Sequence, residues 1–141
     1  MKKSVLTFVT LLLFAAVGCS HKKDYSSEQG LLNAWGSSIK NRDYSLYSKY
    51  EAYPKTIDQF TEIYKDYYFS DIIVVDISST SDPLKNSNDE TYVKREVSVS
   101  GYVVTRKDQK RYSFNGKIDL INLLSKKDVW TIANRIIVRS E

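Results

Sequence analysis

The 141-residue chain is poor in several residue types, and each shortage removes a class of explanation. A single cysteine, Cys19, closes no internal disulfide, so no disulfide scaffold stands behind the fold. The single histidine, His21, lies close to the N-terminus, which excludes histidine acid–base chemistry within the body of the chain. Five glycines and two prolines are too few for a collagen or a low-complexity tail. There is no glycine-rich phosphate loop and no histidine pair at metal spacing, so the sequence points to no cofactor and no metal. Asn86, Asn88 and Glu90 alternate as calcium ligands do, but the glycine and further carboxylates of such a loop are missing. Excess charge is modest, with 21 Lys+Arg against 17 Asp+Glu, and falls short of a nucleic-acid footprint. What remains is 42% hydrophobic and 27% charged, the balance of one soluble domain.

The N-terminus carries the clearest signal. Lys2 and Lys3 precede an apolar run from Val5 to Val17, and small residues Ala15, Ala16 and Gly18 lead to Cys19. That order is an export signal, and the run is shorter than the roughly 20 residues a membrane-spanning helix needs. The stretch Ala16-Val17-Gly18-Cys19 resembles a bacterial lipobox, with alanine where leucine is commoner. The resemblance implies a signal peptide over residues 1–18, a lipid attached to Cys19, and a tether over 19–26 holding the domain of 27–141 at a membrane. With two or more acyl chains such an anchor is stable. In the tether, His21, Lys22 and Lys23 read as a solvated linker whose lysines can meet anionic headgroups. Ser20 is not the aspartate that retains some lipoproteins at an inner membrane, so the expected location is the cell envelope, on the outer membrane if the cell has one.

In the body, helical periodicity comes first. Ser26 and Gln29 have the spacing of a capping box, and Leu31, Leu32, Trp35 and Ile39 follow on one face, predicting a helix to about Lys40. Tyr44, Leu46, Tyr47 and Tyr50 form a brief second stripe. Thr56 and Gln59 repeat the capping spacing ahead of a third, predicted to run to about Tyr68. Texture then changes to β-branched residues at Ile72–Ile77. A polar stretch, Ser78 to Glu90, reads as a surface loop. Three alternating segments follow. They place Val93, Arg95, Val97, Val99 and Val103 on one face, with Gly101 marking a bulge. Tyr112, Phe114, Gly116, Ile118 and Leu120 form the next row, then Trp130, Ile132, Asn134, Ile136 and Val138. Short connections make the sheet antiparallel.

The fold class read from this order is α+β, with N-terminal helices packed on a curved antiparallel sheet of about four strands. Ala34 with Asn41-Arg42-Asp43-Tyr44 and Tyr47, then Ile57-Asp58-Gln59-Phe60, then Val129-Trp130-Thr131-Ile132, resemble in order the cone-shaped superfamily of nuclear transport factor two, ketosteroid isomerase and SnoaL-like proteins. The resemblance implies strands wrapped around a cavity, and in its enzymes a carboxylate or histidine–carboxylate pair inside. No inward strand residue supplies one here, since Asp119 alternates with Ile118 and Leu120 and points to solvent. No catalytic residue is therefore assigned. Tyr47, Arg95 and Asn134 are the candidate pocket residues, a tyrosine from the cluster in helices two and three and two polar groups on apolar rows. The function expected is a membrane-anchored binding or assembly module without catalytic activity, its partners the membrane and either an envelope protein or a small apolar ligand. The alternative is a small cavity enzyme of isomerase or dehydratase type.

Overall fold

The computed structural model describes residues 24–126 and 128–139; the signal, Cys19 and His21 to Lys23 lie outside the described residues. Three helices, α1 (Ser26–Lys40), α2 (Tyr44–Tyr50) and α3 (Ile57–Ile63), precede five strands: β1 (Tyr67–Ile77), β2 (Leu84–Lys85), β3 (Thr91–Thr105), β4 (Arg111–Leu123) and β5 (Trp130–Arg139). The long strands run β1-β3-β4-β5, all antiparallel, and β2 pairs with the start of β3. The protein is an α+β domain with helices on one face of a curved antiparallel sheet.

The starts of α2 and α3 have a local cause. Asp43 caps α2 by accepting from the Leu46 N–H, and Thr56 with Gln59 closes the expected capping box on α3. The box expected at Ser26 and Gln29 does not form. Tyr25 is the N-cap of α1 and makes no side-chain capping bond, its hydroxyl donating to Asp76 instead, while the Gln29 amide turns to the sheet. Its Nε2 donates to the Ile72 carbonyl at 2.6 Å and its Oε1 accepts from the Val74 N–H at 2.9 Å. Those groups belong to β1, whose register slips between Ser70 and Ile73 and again between Val74 and Asp76. Gln29 thus satisfies backbone that an irregular edge strand leaves unpaired.

Three expectations about element limits are corrected. α3 stops at Ile63, and Tyr67 and Tyr68 open β1 instead, because Tyr67-Tyr68-Phe69 favours a pleated surface and gains partners on β3. The stretch Ser78–Glu90 contains β2, joined to β3 by a turn in which Asn86 Oδ1 accepts from the N–H groups of Asn88 and Glu90. The bulge expected at Gly101 lies on the opposing strand, where Asp71 and Ile72 face it. Gly101 serves close approach: a Cβ there would sit 3.0 Å from the Phe114 ring and 3.1 Å from the Ser70 carbonyl.

Leu32, Trp35 and Ile39 of α1, Tyr47 of α2 and Phe60 of α3 bury against Val97, Val99, Phe114, Ile118 and Leu120. Rings continue the core from Trp35, stacked on Phe69 at 5.3 Å, to Phe114 at 5.7 Å from Phe69. Arg106 ties the far ends of two helices together, donating to the carbonyls of Ile39 and Lys40 at the end of α1 and of Tyr64 after α3.

The largest correction concerns β5. Asp119 pairs with Asn134 while Leu120 pairs with Ile132, so Ala133 is an extra residue. Because the side-chain period of a strand is two, one added residue reverses every side chain beyond it. Asn134, Ile136 and Val138 consequently face outward, the last two 68% and 62% exposed, and Arg135 and Ile137 take the inner face. The chain after α2 meets the strand next to this bulge, where Glu51 bridges Ile132 and the Ala52 N–H donates to the Ile132 carbonyl.

Candidate functional site

The inner face holds two arginines in successive rows. Arg95 lies across from Leu120, which pairs with Ile132; in the next row Val97 pairs with Ile118 and Ile118 with Arg135. Each arginine meets a buried glutamate supplied by the helical layer and lies over a tryptophan ring. These carboxylates escape a search of the strands because neither is on a strand: Glu28 is in the first turn of α1, and Glu51 directly follows α2.

Around Arg135 the assembly encloses its tryptophan completely. Glu51 Oε1 accepts from Trp35 Nε1 at 2.9 Å and from Arg135 Nη1 at 2.7 Å, and Arg135 Nη2 donates to the Tyr64 hydroxyl at 2.7 Å. The guanidinium stands 5.1 Å from the Trp35 ring centroid, and Trp35 is fully buried. Burial pushes the Tyr64 hydroxyl far above the ordinary tyrosine range, and it raises Tyr47 as well, with the Glu51 charge adding to it. For Arg135, burial opposes the charged form, but Tyr64 and Glu51 outweigh it and hold the guanidinium more firmly protonated than usual. The Tyr47 hydroxyl, although enclosed beside this group, has no hydrogen-bond partner among the described residues. A hollow of about 380 Å³ borders the cluster on its α3 side, lined by Arg135 itself with Tyr64, Tyr67, Phe69 and Ile137.

Around Arg95 the assembly is looser and borders a different cavity. Arg95 Nη1 donates to Glu28 Oε1 at 2.5 Å, Glu28 Oε2 accepts from the Ser27 hydroxyl at 2.8 Å, and Arg95 Nη2 donates to Thr80 Oγ1 at 3.0 Å. The guanidinium lies 4.0 Å from the Trp130 ring centroid. Trp130 packs against the core but is only partly buried, and it forms a wall of a cavity of about 320 Å³. Leu31, Tyr50, Leu120 and Val129 supply the other apolar walls, Glu28 the floor, and exposed Lys49 and Asp128 the rim. Such a volume is at the small end of those that hold organic ligands.

The three candidate pocket residues are therefore not brought together. Arg95 stands beside a cavity. Tyr47 is a fully buried core residue packed on Phe60 at 4.5 Å, and Asn134 is exposed on the outer face beyond the bulge. Asp119 stays outward, 3.7 Å from Lys94, as its alternation implied. Sequence reasoning missed Glu28, Glu51 and Arg135. For Glu28 a signal existed, since its position four before Leu32 places it on the buried stripe of α1.

No family model and no curated protein matches the chain. Among solved structures, the intermembrane-space region of the chloroplast protein ARC6 aligns over 84% of this chain and 99% of its own length, at 8% identity and a TM-score of 0.39.

Proposed function

We propose that this chain is a bacterial lipoprotein, anchored through Cys19, whose cone-shaped domain of the nuclear transport factor two-like kind binds a ligand or partner outside the cytoplasm without catalysing a reaction. The helices-first order and the inner-face cavity support the superfamily reading, and the Ala16-Val17-Gly18-Cys19 stretch supports the anchor. One observation carries the choice of binding over catalysis: each carboxylate buried on the inner face is held by an arginine, Glu28 by Arg95 and Glu51 by Arg135. A carboxylate fixed in this way is not free to turn toward a substrate as a general base or acid must. The enzyme reading has one point in its favour, that Glu28 forms the floor of a cavity.

Two measurements test the proposal. Membranes from cells making the full chain should retain the wild type and lose Cys19→Ala, or show it unprocessed; equal retention and equal size would overturn the anchor. Incubation of the full chain with β,γ-unsaturated ketones and β-hydroxy thioesters should give no turnover. Turnover that Glu28→Gln abolishes would make the chain an isomerase or dehydratase.

A further inference from the structure

The cavity beside Trp130 opens where the chain enters the domain. Ser27 and Glu28 line it, Leu31 one turn on forms a wall, and Cys19 is eight residues before Ser27. Even fully extended, those residues span about 28 Å at most, so a lipid on Cys19 would hold this cavity close to the bilayer surface. This step rests on the anchor proposed above. The cavity is lined by carbon from Leu31, Tyr50, Leu120 and Trp130, with half-exposed Val129 beside them, and its one buried charge, on Glu28, is neutralised by Arg95. Charges of both signs, Lys49 and Asp128, occur only at the rim. An apolar interior with a polar, two-signed rim matches an amphiphile whose chain enters and whose headgroup stays outside.

We infer that this cavity takes the acyl chain of a phospholipid from the membrane that the protein is tethered to, with the headgroup phosphate toward Lys49. An ethanolamine ammonium, where present, lies toward Asp128. Arg95 and Glu28 then act as positioning residues: they fix the Trp130 ring from one side and leave its exposed surface to the hydrocarbon.

The test uses the full lipidated chain in nanodiscs of phosphatidylethanolamine and phosphatidylglycerol doped with a phosphatidylglycerol that bears a diazirine at the end of one acyl chain. After photolysis, peptide mapping should find label on Leu31, Tyr50, Leu120 or Trp130. Leu31→Lys should lose that label, and so should Val129→Asp, an exposed site at which folding is not at stake; Leu46→Lys, away from the cavity, should keep it. A cooperative thermal transition in each variant separates lost binding from lost fold. Label confined to Lys49 and Asp128 overturns the inference, because it reports proximity to the surface alone. Cavity label seen only when the diazirine is carried by the Cys19 lipid overturns it also, by making the protein's own anchor the occupant. A chain that joins the nanodisc yet takes no cavity label defeats this inference and leaves the anchor standing, whereas a chain that does not join defeats the anchor.

Discussion

The two arginine–glutamate–tryptophan assemblies are built from the same residue types on the same face of the sheet, and a hollow borders each, yet only one covers its tryptophan completely. In the first, Trp35 is fully buried, and the Arg135 guanidinium bonds to both Glu51 and the Tyr64 hydroxyl. In the second, Trp130 is only partly buried, Arg95 bonds outward to Thr80 on the β1–β2 connection, and the ring itself lines the adjoining cavity. The side chains of Glu51 and Glu28 are nearly equally buried, at 4% and 6% exposure. Burial of the ion pair therefore does not distinguish scaffold from site; what the tryptophan touches does. A ring covered on all sides contributes packing, and a ring fixed on one side and open on the other offers a surface.

The sharpest way to break this comparison is to truncate both rings. Trp35→Ala removes a buried ring, its stack on Phe69 and a donor to Glu51, and should cost about 3 to 5 kcal/mol in chemical denaturation. That is a large share of the stability of an ordinary domain. Trp130→Ala should cost clearly less, because part of its surface is already in water. Equal losses would mean that Trp130 is a core residue and the cavity beside it incidental.

Next in size is Arg135→Met, which leaves Glu51 buried with only the Trp35 donor. Breaking such a pair costs about 3 kcal/mol, and removing both charges with Glu51→Met as well should recover part of the loss. The same network predicts a response to alkali. Tyr64 is neutral in the fold well above the ordinary tyrosine pKa of about 10. Above that pH the unfolded chain binds fewer protons than the native one, so stability is full below the unfolded value and falls as pH rises toward the native value. Tyr64→Phe should flatten this decline while lowering stability at neutral pH through the lost bond to Arg135. A decline of unchanged steepness would remove Tyr64 from the account.

Gln29→Ala probes how the sheet edge beside α1 is held, and should cost about 1 to 2 kcal/mol by leaving the Ile72 carbonyl and Val74 N–H without their side-chain partner. Amide exchange at Val74 should accelerate; an unchanged rate would show that the edge closes without Gln29. This residue also marks what a sequence can conceal. Its spacing from Ser26 fits a capping box, and the same spacing at Thr56 and Gln59 does form one. Nothing local separates the two cases. The difference is tertiary, since α1 lies against a bulged strand whose free backbone groups compete for the glutamine. The long-range order of helices and strands was readable because hydrophobic period is local. By contrast, the glutamates of the candidate site come from helical segments and meet arginines 67 and 84 positions away.

The smallest effect is expected at Asn134, and it tests the feature that hid Arg135. A strict alternation from Ile132 puts Asn134 inside with Ile136 and Val138; the extra residue at Ala133 puts all three outside and turns Arg135 inward. Asn134→Val should then change stability by no more than about 0.5 kcal/mol, as expected of a surface substitution. It should also leave phospholipid labelling beside Trp130 unchanged. If the strand instead kept its alternation, Asn134 would be an inward amide among apolar neighbours, and its replacement by valine would shift stability by more than that. Such a result would return Arg135 to solvent and dissolve its assembly with Glu51 and Trp35, since Glu51 would then be a buried carboxylate whose one remaining donor is Trp35. A null effect at Asn134, set beside a large one at Arg135, would locate the bulge by chemistry alone.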